Sequence, residues 1–453
     1  MAAGPHPDLD TYRERRTRIA RRLHAENAAL VLYGGALRNR ANDTEFRFRP
    51  DSDFHYLTGL EEPGAVAVLT CGERAEDAEL TLFVRPRDPT AEVWTGRRVG
   101  PEGARDHFGA KTAHVIDDLG EELGRLLDGR GCVYFPLGRW AKLDAAIQRA
   151  LKGLRRHNRD GRNPPARYAE VADLLGEDRL IKDASGLASL RRALEISAAG
   201  HLAAMRSTRP GMWEYEVEAL IEYEFRRRGS SGPGYGTIVG AGDNATILHY
   251  VDNRDQLRAG EVILIDAGAE WDYFSGDITR SWPVSGKFTP EQRDLYEVVL
   301  EANLGGIELA QVGGDLLAIH EACVRSLSSG MVELGLLEGP VDRVIESLDY
   351  QRFYLHRTSH WLGIDVHDAG RYTLEGKQRM LAPGHVFTIE PGLYIPSSCE
   401  DVPVGFRGLG IRIEDDISIT ATGHEVLSAA VPKRVVELEA LIGSGESASH
   451  RSS

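Results

Sequence analysis

The sequence predicts two domains of different class: an α/β domain over residues 1–176, then an α+β domain over 177–442 with an antiparallel sheet covered by helices. Three observations predict this. In the first part, short apolar runs alternate with helical stretches, as in an α/β layer. A turn-rich polar segment, HNRDGRNPPARY at 157–168, ends that part, and Pro164 and Pro165 stop any helix there. In the second part, long helical patterns are interleaved with strands that end in acidic residues, and short connections favour antiparallel pairing.

Taken in order, residues 8–27 are charged with sparse apolar spacing and predict a surface helix. Buried-strand patterns follow at 28–33 (AALVLY), 65–69 (AVAVL), 80–84 (LTLFV) and 132–135 (CVYF), with helices around 116–128 and 141–155. The second part predicts helices at 187–206, 212–228, 290–311 and 315–335. Its strands are expected at 235–240, 261–268, 277–284, 385–390 and 409–419. The stretch 443–453 (GSGESASHRSS) is poor in apolar residues and reads as a disordered tail.

Composition narrows the function. A chain of 453 residues, 42% hydrophobic and 27% charged, buries a large core without disulfide staples. Its formal net charge of −15 repels phosphate backbones, which argues against a nucleic-acid partner. Cys71, Cys132, Cys323 and Cys399 form no C-x-x-C pair and read as free thiols of a reducing, cytoplasmic setting. The N-terminal MAAGPHPDLDTYRERR has no apolar signal core, and no run of 18 or more apolar residues predicts a membrane span.

The chemistry concentrates in the second part. In VILIDAGAEWDYFSGDITRSWPVSG, Asp266 ends one apolar strand and Asp277 begins another, and pairing as a hairpin sets both acids on one side. HRTSHWLGIDVHD carries His356, His360 and His367, FTIEPGLY carries Glu390, and GIRIEDDISI carries Glu414. Strand alternation places Arg412 and Glu414 on one face and Ile411 and Ile413 on the other. Any one strand-end acid is most often a loop-facing group, and any one histidine a satisfied core or surface group. Together, Asp266, Asp277, His360, Glu390 and Glu414 make four carboxylates and one imidazole. Such a set cannot stay ionised in a low-dielectric pocket without compensating charge. Two divalent ions would balance it, and the oxygen-rich donors favour Mn(II), with Co(II), Fe(II) or Zn(II) possible. A pair of ions can share bridging carboxylates and acidify a bridging water.

These segments resemble the pita-bread-fold metallopeptidases, within them the aminopeptidase P group. The motifs run from DSDFHYLTG (51–59) and AEVWTGRR (91–98) through TIVGAGDNATILHY (237–250), HWLGIDVHD (360–368) and IEPGLYI (389–395) to GIRIEDDI (410–417). The resemblance implies a curved antiparallel sheet in the catalytic domain and hydrolysis of the bond before a proline at position two. It implies that Asp266 chelates one ion, Asp277 and Glu414 bridge both, and His360 and Glu390 complete the second ion's shell. Glu390 is also the implied general base. His249 and His367 would contact the scissile region and the developing oxyanion, and His356 the proline pocket. Tyr235 and Arg412 would orient ligands or close the pocket. Trp94 would approach the substrate, often across a subunit contact, with core packing nearly as good a reading. Arg155 and Arg156 match loosely and read better as solvated charges. YTLEGKQRM (372–380) departs from the family pattern. The family also implies a homodimer or homotetramer. Two rival readings remain: a prolidase, which cleaves only Xaa-Pro dipeptides, and a metal-free binding pseudoenzyme.

Overall fold

A computed structural model describes residues 9–445, and the chain divides between Asp178 and Arg179 into two compact units. In the first, helix α1 (Leu9–Ala25) buries Tyr12, Ile19, Ala20 and Leu23, and with them Arg15 and Arg16. Neither cation is left bare. Arg15 lies 4.3 Å over the Tyr56 ring, and Arg16 donates to the Leu57 carbonyl at 2.9 Å.

Strand β1 (Ala28–Tyr33) is buried along its whole length. An exposed hairpin, β2 (Asn39–Ala41) and β3 (Thr44–Glu45), precedes helix α2 (Ser52–Thr58). Then come β4 (Val66–Cys71), β5 (Ala78–Val84), α3 (Pro89–Thr95), α4 (Gly100–Phe108), β6 (Thr112–Val115), α5 (Leu119–Leu127), β7 (Cys132–Tyr134), α6 (Ala141–Arg156) and β8 (Arg167–Ala169). The sheet order is β6-β5-β4-β1-β7-β8. β1 pairs antiparallel with β4 and parallel with β7, so the most apolar run lies inside the sheet. The predicted strands and all three predicted helices of this unit are present. Helices α2, α3 and α4 and strands β2, β3, β6 and β8 were not anticipated. Helix α2 carries its own signals: the Asp51 carboxylate accepts from the Asp53 and Phe54 N–H groups, and Gly59 stops it at φ 65°.

Helix α7 (Leu175–Leu180) spans the division. The second unit begins with α8 (Ala184–Ser207), capped by the Asp183 carboxylate on the Gly186 N–H, and α9 (Glu214–Arg227). Strands β9 (Gly232–Pro233), β10 (Ile238–Ala241), β11 (Val262–Asp266), β12 (Ala269–Trp271), β13 (Phe274–Ser275) and β14 (Thr279–Pro283) follow. Then come α10 (Pro290–Glu308), α11 (Leu316–Glu333) and α12 (Val341–Glu346). The last elements are β15 (Thr373–Leu374), β16 (Lys377–Gln378), β17 (Val386–Ile389), β18 (Gly392–Ile395), β19 (Leu409–Arg412), β20 (Asp415–Thr420), β21 (Gly423–Val426) and α13 (Val435–Leu441). Helices and antiparallel sheets share one core that includes Trp282, Tyr296, Phe387 and Ile411.

Two details depart from expectation and one refines it. The antiparallel sheet is divided into the orders β10-β11-β14, β17-β20-β21 and β18-β19. The strand expected over 409–419 therefore breaks into β19 and β20, and Glu414, at the break, donates its N–H to the Thr279 carbonyl at 3.1 Å. The turn-bearing connection 268–276 is itself the hairpin β12–β13, with Asp272 and Tyr273 both at positive φ (50° and 66°), as a two-residue turn of twisted strands requires. Of the expected disordered tail, Gly443 and Gly445 are pinned by N–H bonds to the Met205 and Arg206 carbonyls at the end of α8. Residues 446–453 lie outside the described residues. All four cysteines are free, with Cys399 only half-buried. Among the described residues, no helix is long and apolar enough to cross a membrane.

Candidate active site

The two aspartates meet because two glycines let their chains touch. β11 pairs with β14 so that Asp266 faces Thr279, with Asp277 just before the strand. A Cβ on Gly268 would lie 1.7 Å from the Gly276 carbonyl oxygen, so only glycine permits that approach. Tyr235 then spans both acids, its hydroxyl 2.5 Å from Asp266 Oδ1 and 2.6 Å from Asp277 Oδ1. One hydroxyl has one proton, so it can donate to only one of them.

The two glutamates sit at matched interruptions. β17 pairs with β20 up to Ile389↔Asp415, and β18 pairs with β19 from Gly392↔Arg412. Between those pairs, Glu390–Pro391 lies opposite Ile413–Glu414, and Pro391 has no N–H for a ladder. The Glu414 carboxylate accepts from the Thr279 hydroxyl at 2.7 Å. Arg412 donates to Thr279 Oγ1 (3.0 Å), to the Tyr394 hydroxyl (3.1 Å) and to Asp266 Oδ2 (2.7 Å). The expected alternation holds: Arg412 and Glu414 line the site, while Ile411 and Ile413 are in the core.

The histidines arrive on the loop after α12. His360 Nδ1 lies 3.1 Å from the Trp361 carbonyl, a pure acceptor, so Nδ1 carries the proton. Its Nε2 faces Asp277 Oδ2 at 3.4 Å and Glu390 Oε1 at 3.6 Å. An imidazole oriented by a second-sphere carbonyl in this way presents Nε2 as a metal ligand. Among the described residues, Asp277, His360 and Glu414 bring ligand atoms within 4.8 Å of one another. The His367 ring stacks edge-on to His360 at 4.4 Å. The loop is held from below by Asp368, whose carboxylate receives Lys182 at 2.9 Å and Arg179. His356 Nε2 bonds the Tyr394 hydroxyl at 2.8 Å, and Nδ1 bonds the Arg357 carbonyl at 2.9 Å. His249 lies on a loop anchored by buried Glu214, which accepts from the Ala241 and Asp255 N–H groups and the Tyr250 hydroxyl.

These groups line one cavity of about 970 Å³. Burial first, then a neighbouring carboxylate, holds Asp277 (beside Asp266) and Glu390 (beside Glu414) well above the ordinary carboxylate range. Glu414, beside Asp277, is raised likewise. Burial, helped by Arg412, brings His356 down to about 4, so it is neutral at pH 7. His367 is lowered by burial and then by His360. Arg412 offsets one of the four carboxylate charges, and the remainder calls for cations. The donor set, oxygen-rich with one correctly turned imidazole, fits divalent metal.

Ten of the eleven residues expected at the site, Asp266, Asp277, His360, Glu390, Glu414, Tyr235, His249, His356, His367 and Arg412, line this cavity. Trp94 does not. It lies on α3 of the first unit with 85% of its surface exposed, which also rules out its packing in a core. Arg155 and Arg156 are exposed on α6. Sequence reasoning missed His320 and Arg357 on the cavity wall, and Tyr394 and Thr279, which bond Arg412. None stands in a pattern that marks chemistry. Tyr372, Thr373 and Gln378 of the divergent segment 372–380 line the cavity too.

Residues 188–421 match the model of metallopeptidase family M24, and residues 12–134 match the aminopeptidase P N-terminal domain. The chain is 43% identical over 431 residues to an Xaa-Pro aminopeptidase of Escherichia coli strain K12, covering 95% of this chain and 97% of that one. It is 40% identical over 438 residues to an Xaa-Pro aminopeptidase of Haemophilus influenzae, covering 96% and 97%. The structure of Pseudomonas aeruginosa aminopeptidase PepP superposes with a TM-score of 0.93 at 43% identity, over 96% of this chain and 98% of that one. With this geometry and these likenesses, the chain belongs to metallopeptidase family M24, in the group that carries an aminopeptidase P N-terminal domain.

Proposed function

We propose that this protein is an Xaa-Pro aminopeptidase, hydrolysing the bond between the first residue of a peptide and a proline at position two. One observation carries the reading: four carboxylates and a carbonyl-oriented imidazole converge in a single cavity beside further histidines. Asp266, Asp277, His360, Glu390 and Glu414 would hold two divalent ions, manganese by preference, with cobalt, iron or zinc compatible with the donors. Bound ions supply Lewis acidity toward the peptide carbonyl and acidify a water molecule.

The chain's own residues do the rest. Glu390, whose proton affinity is raised by burial beside Glu414, takes a proton from the attacking water and can return it to the leaving nitrogen. Tyr235 and Arg412 fix Asp266 from two sides. His367 and His249 face the cavity where charge develops on the carbonyl oxygen, and a donor so placed is worth about 2.7–4 kcal/mol in comparable sites. An Xaa-Pro bond is a tertiary amide without an N–H, so its pocket needs no acceptor at that nitrogen. Neutral His356, held by Tyr394, offers a ring face there.

A dipeptidase acting only on Xaa-Pro shares all of this chemistry. A peptide panel separates the two: kcat/KM for Xaa-Pro-Xaa is expected to exceed that for Xaa-Pro, and preference for the dipeptide would reverse the assignment. The proposed setting is cytoplasmic, in keeping with four free cysteines, and the proposed assembly is a homodimer or homotetramer, as the family resemblance implies.

Proton linkage gives a second test. In metal-free protein, Asp277, Glu390 and Glu414 bind protons more tightly folded than unfolded. Stability of the chelated protein should therefore fall as pH rises above about 4, through the raised titrations. Saturating manganese should remove that loss. Thermal melts at several pH values check it, and a metal-free stability that climbs with pH would contradict the electrostatic account.

A further inference from the structure

One charged side chain on the cavity wall has no assigned work. Arg357 lies between His356 and Thr358 in the wall-forming loop, and it is exposed. Arg412, the other arginine of the wall, is committed to Asp266, Thr279 and Tyr394. Arg357 differs: among the described residues, no carboxylate lies within ion-pair distance of its guanidinium, and its one recorded bond is made by its carbonyl, to His356 Nδ1. Across the loop, the first turns of α11 bring Leu316, Leu317 and His320 to the same cavity. His320 is turned inward, with Nδ1 2.8 Å from the Thr358 hydroxyl, and the positive charge of Arg357 is felt at its ring. Arg357 thus shares the cavity lining with Leu316, Leu317 and His320, and none of the cavity's carboxylates is paired with it.

We propose that Arg357 is a specificity-determining residue that takes a carboxylate carried by the substrate beyond its proline. The proposal rests on the Xaa-Pro reading above and deepens it. The carboxylate has two possible sources: the C-terminus of a tripeptide, or an acidic side chain on the third residue of a longer peptide. Reach is consistent with both. His356 Nδ1 is 3.6 Å from Glu390 Oε2, so the reacting centre adjoins His356. Arg357 is the next residue and lines the same cavity, while one residue beyond the proline adds about 3.3–3.6 Å of extended peptide. Arginine presents a planar donor fork that matches a carboxylate, and no internal pair must be broken first.

The test compares three substrates with the metal-loaded protein: Xaa-Pro-Ala with a free C-terminus, the same peptide amidated, and amidated Xaa-Pro-Glu. For the wild type, kcat/KM for the acid should exceed that for the amide by about five- to tenfold, as a partly exposed charge-assisted contact allows. Glutamate in the amidated peptide should restore part of that advantage if side-chain acids are also read, and none of it if only the C-terminus is. In Arg357→Gln the acid-to-amide ratio should fall to about one, and Arg357→Lys should recover part of it. A wild-type ratio near one overturns the proposal. So does an Arg357→Gln variant that slows acid and amide alike, since that is the mark of a merely structural role. Failure of the wild type to cleave any of the three would overturn the Xaa-Pro reading itself, a result distinct from equal cleavage of acid and amide.

Discussion

Asp277→Asn is expected to abolish peptidase activity while leaving the fold intact. Asp277 is buried between Asp266, His360 and Glu414, with Oδ1 on the Tyr235 hydroxyl and Oδ2 toward His360. The amide keeps the shape but removes one negative charge and one ligand oxygen. Alterations around metal ligands typically cost 10–100-fold in metal affinity, and loss of a residue that would itself hold the metal should exceed that. Several kcal/mol of transition-state stabilisation correspond to about three orders of magnitude in rate. The substitution also relieves carboxylate repulsion, so the metal-free variant should melt no lower than metal-free wild type. Steady-state kinetics with and without added manganese, paired with melting curves, check both halves. Turnover near the wild-type level would remove Asp277 from the metal site.

Arg280→Met should be the most destabilising of the substitutions considered, and it acts on the site from behind. Arg280 is fully buried on β14 and donates to the Asp415 carboxylate at 2.8 Å, to the Val431 carbonyl at 3.0 Å and to the Glu414 carbonyl. Lys433 reaches the same carboxylate at 2.6 Å. Asp415 is held well below the ordinary carboxylate range because Arg280 and then Lys433 outweigh the cost of its burial. Removing one partner of a buried ion pair costs about 3–5 kcal/mol. In a unit of this size that lowers the melting temperature by about 10 °C. Because Arg280 fixes the Glu414 backbone, metal affinity should fall about 10–100-fold as well. The depressed titration of Asp415 contributes stability that is full above the usual carboxylate pKa and is lost as pH falls from there through the depressed folded titration, so the variant should lose part of the wild type's acid sensitivity. A variant that melts with the wild type and binds manganese equally would show that this network neither supports the fold nor positions Glu414.

Much of this arrangement was legible because the chemistry-bearing residues end apolar strands. VILID and FTI read as strands from their own pattern, and the acid at the end of each stood out against the cost of burying it. Alternation correctly assigned Arg412 and Glu414 to one face. What stayed hidden depends on long-range geometry. The break between β19 and β20 exists because one segment leaves a pairing with β18 for one with β17, and no local residue announces that change. Arg280 reads as an ordinary strand residue, and only its partners, more than a hundred residues away, make it a buried anchor. His320 sits on a helix whose apolar spacing explains it as core. Helix α2 is a different failure, since Asp51 and Gly59 marked both of its ends and the segment is only short. Trp94 lies exposed on the first unit and outside the cavity lining of this one chain, so a role carried across a subunit contact is not read from it.

The most direct measurement is the manganese stoichiometry of chelated, re-loaded protein by titration calorimetry with elemental analysis. The cluster of Asp266, Asp277, His360, Glu390 and Glu414 predicts close to two equivalents per chain, with Xaa-Pro cleavage rising in step with occupancy. Full peptidase activity in protein that takes up no metal at saturating manganese would contradict it.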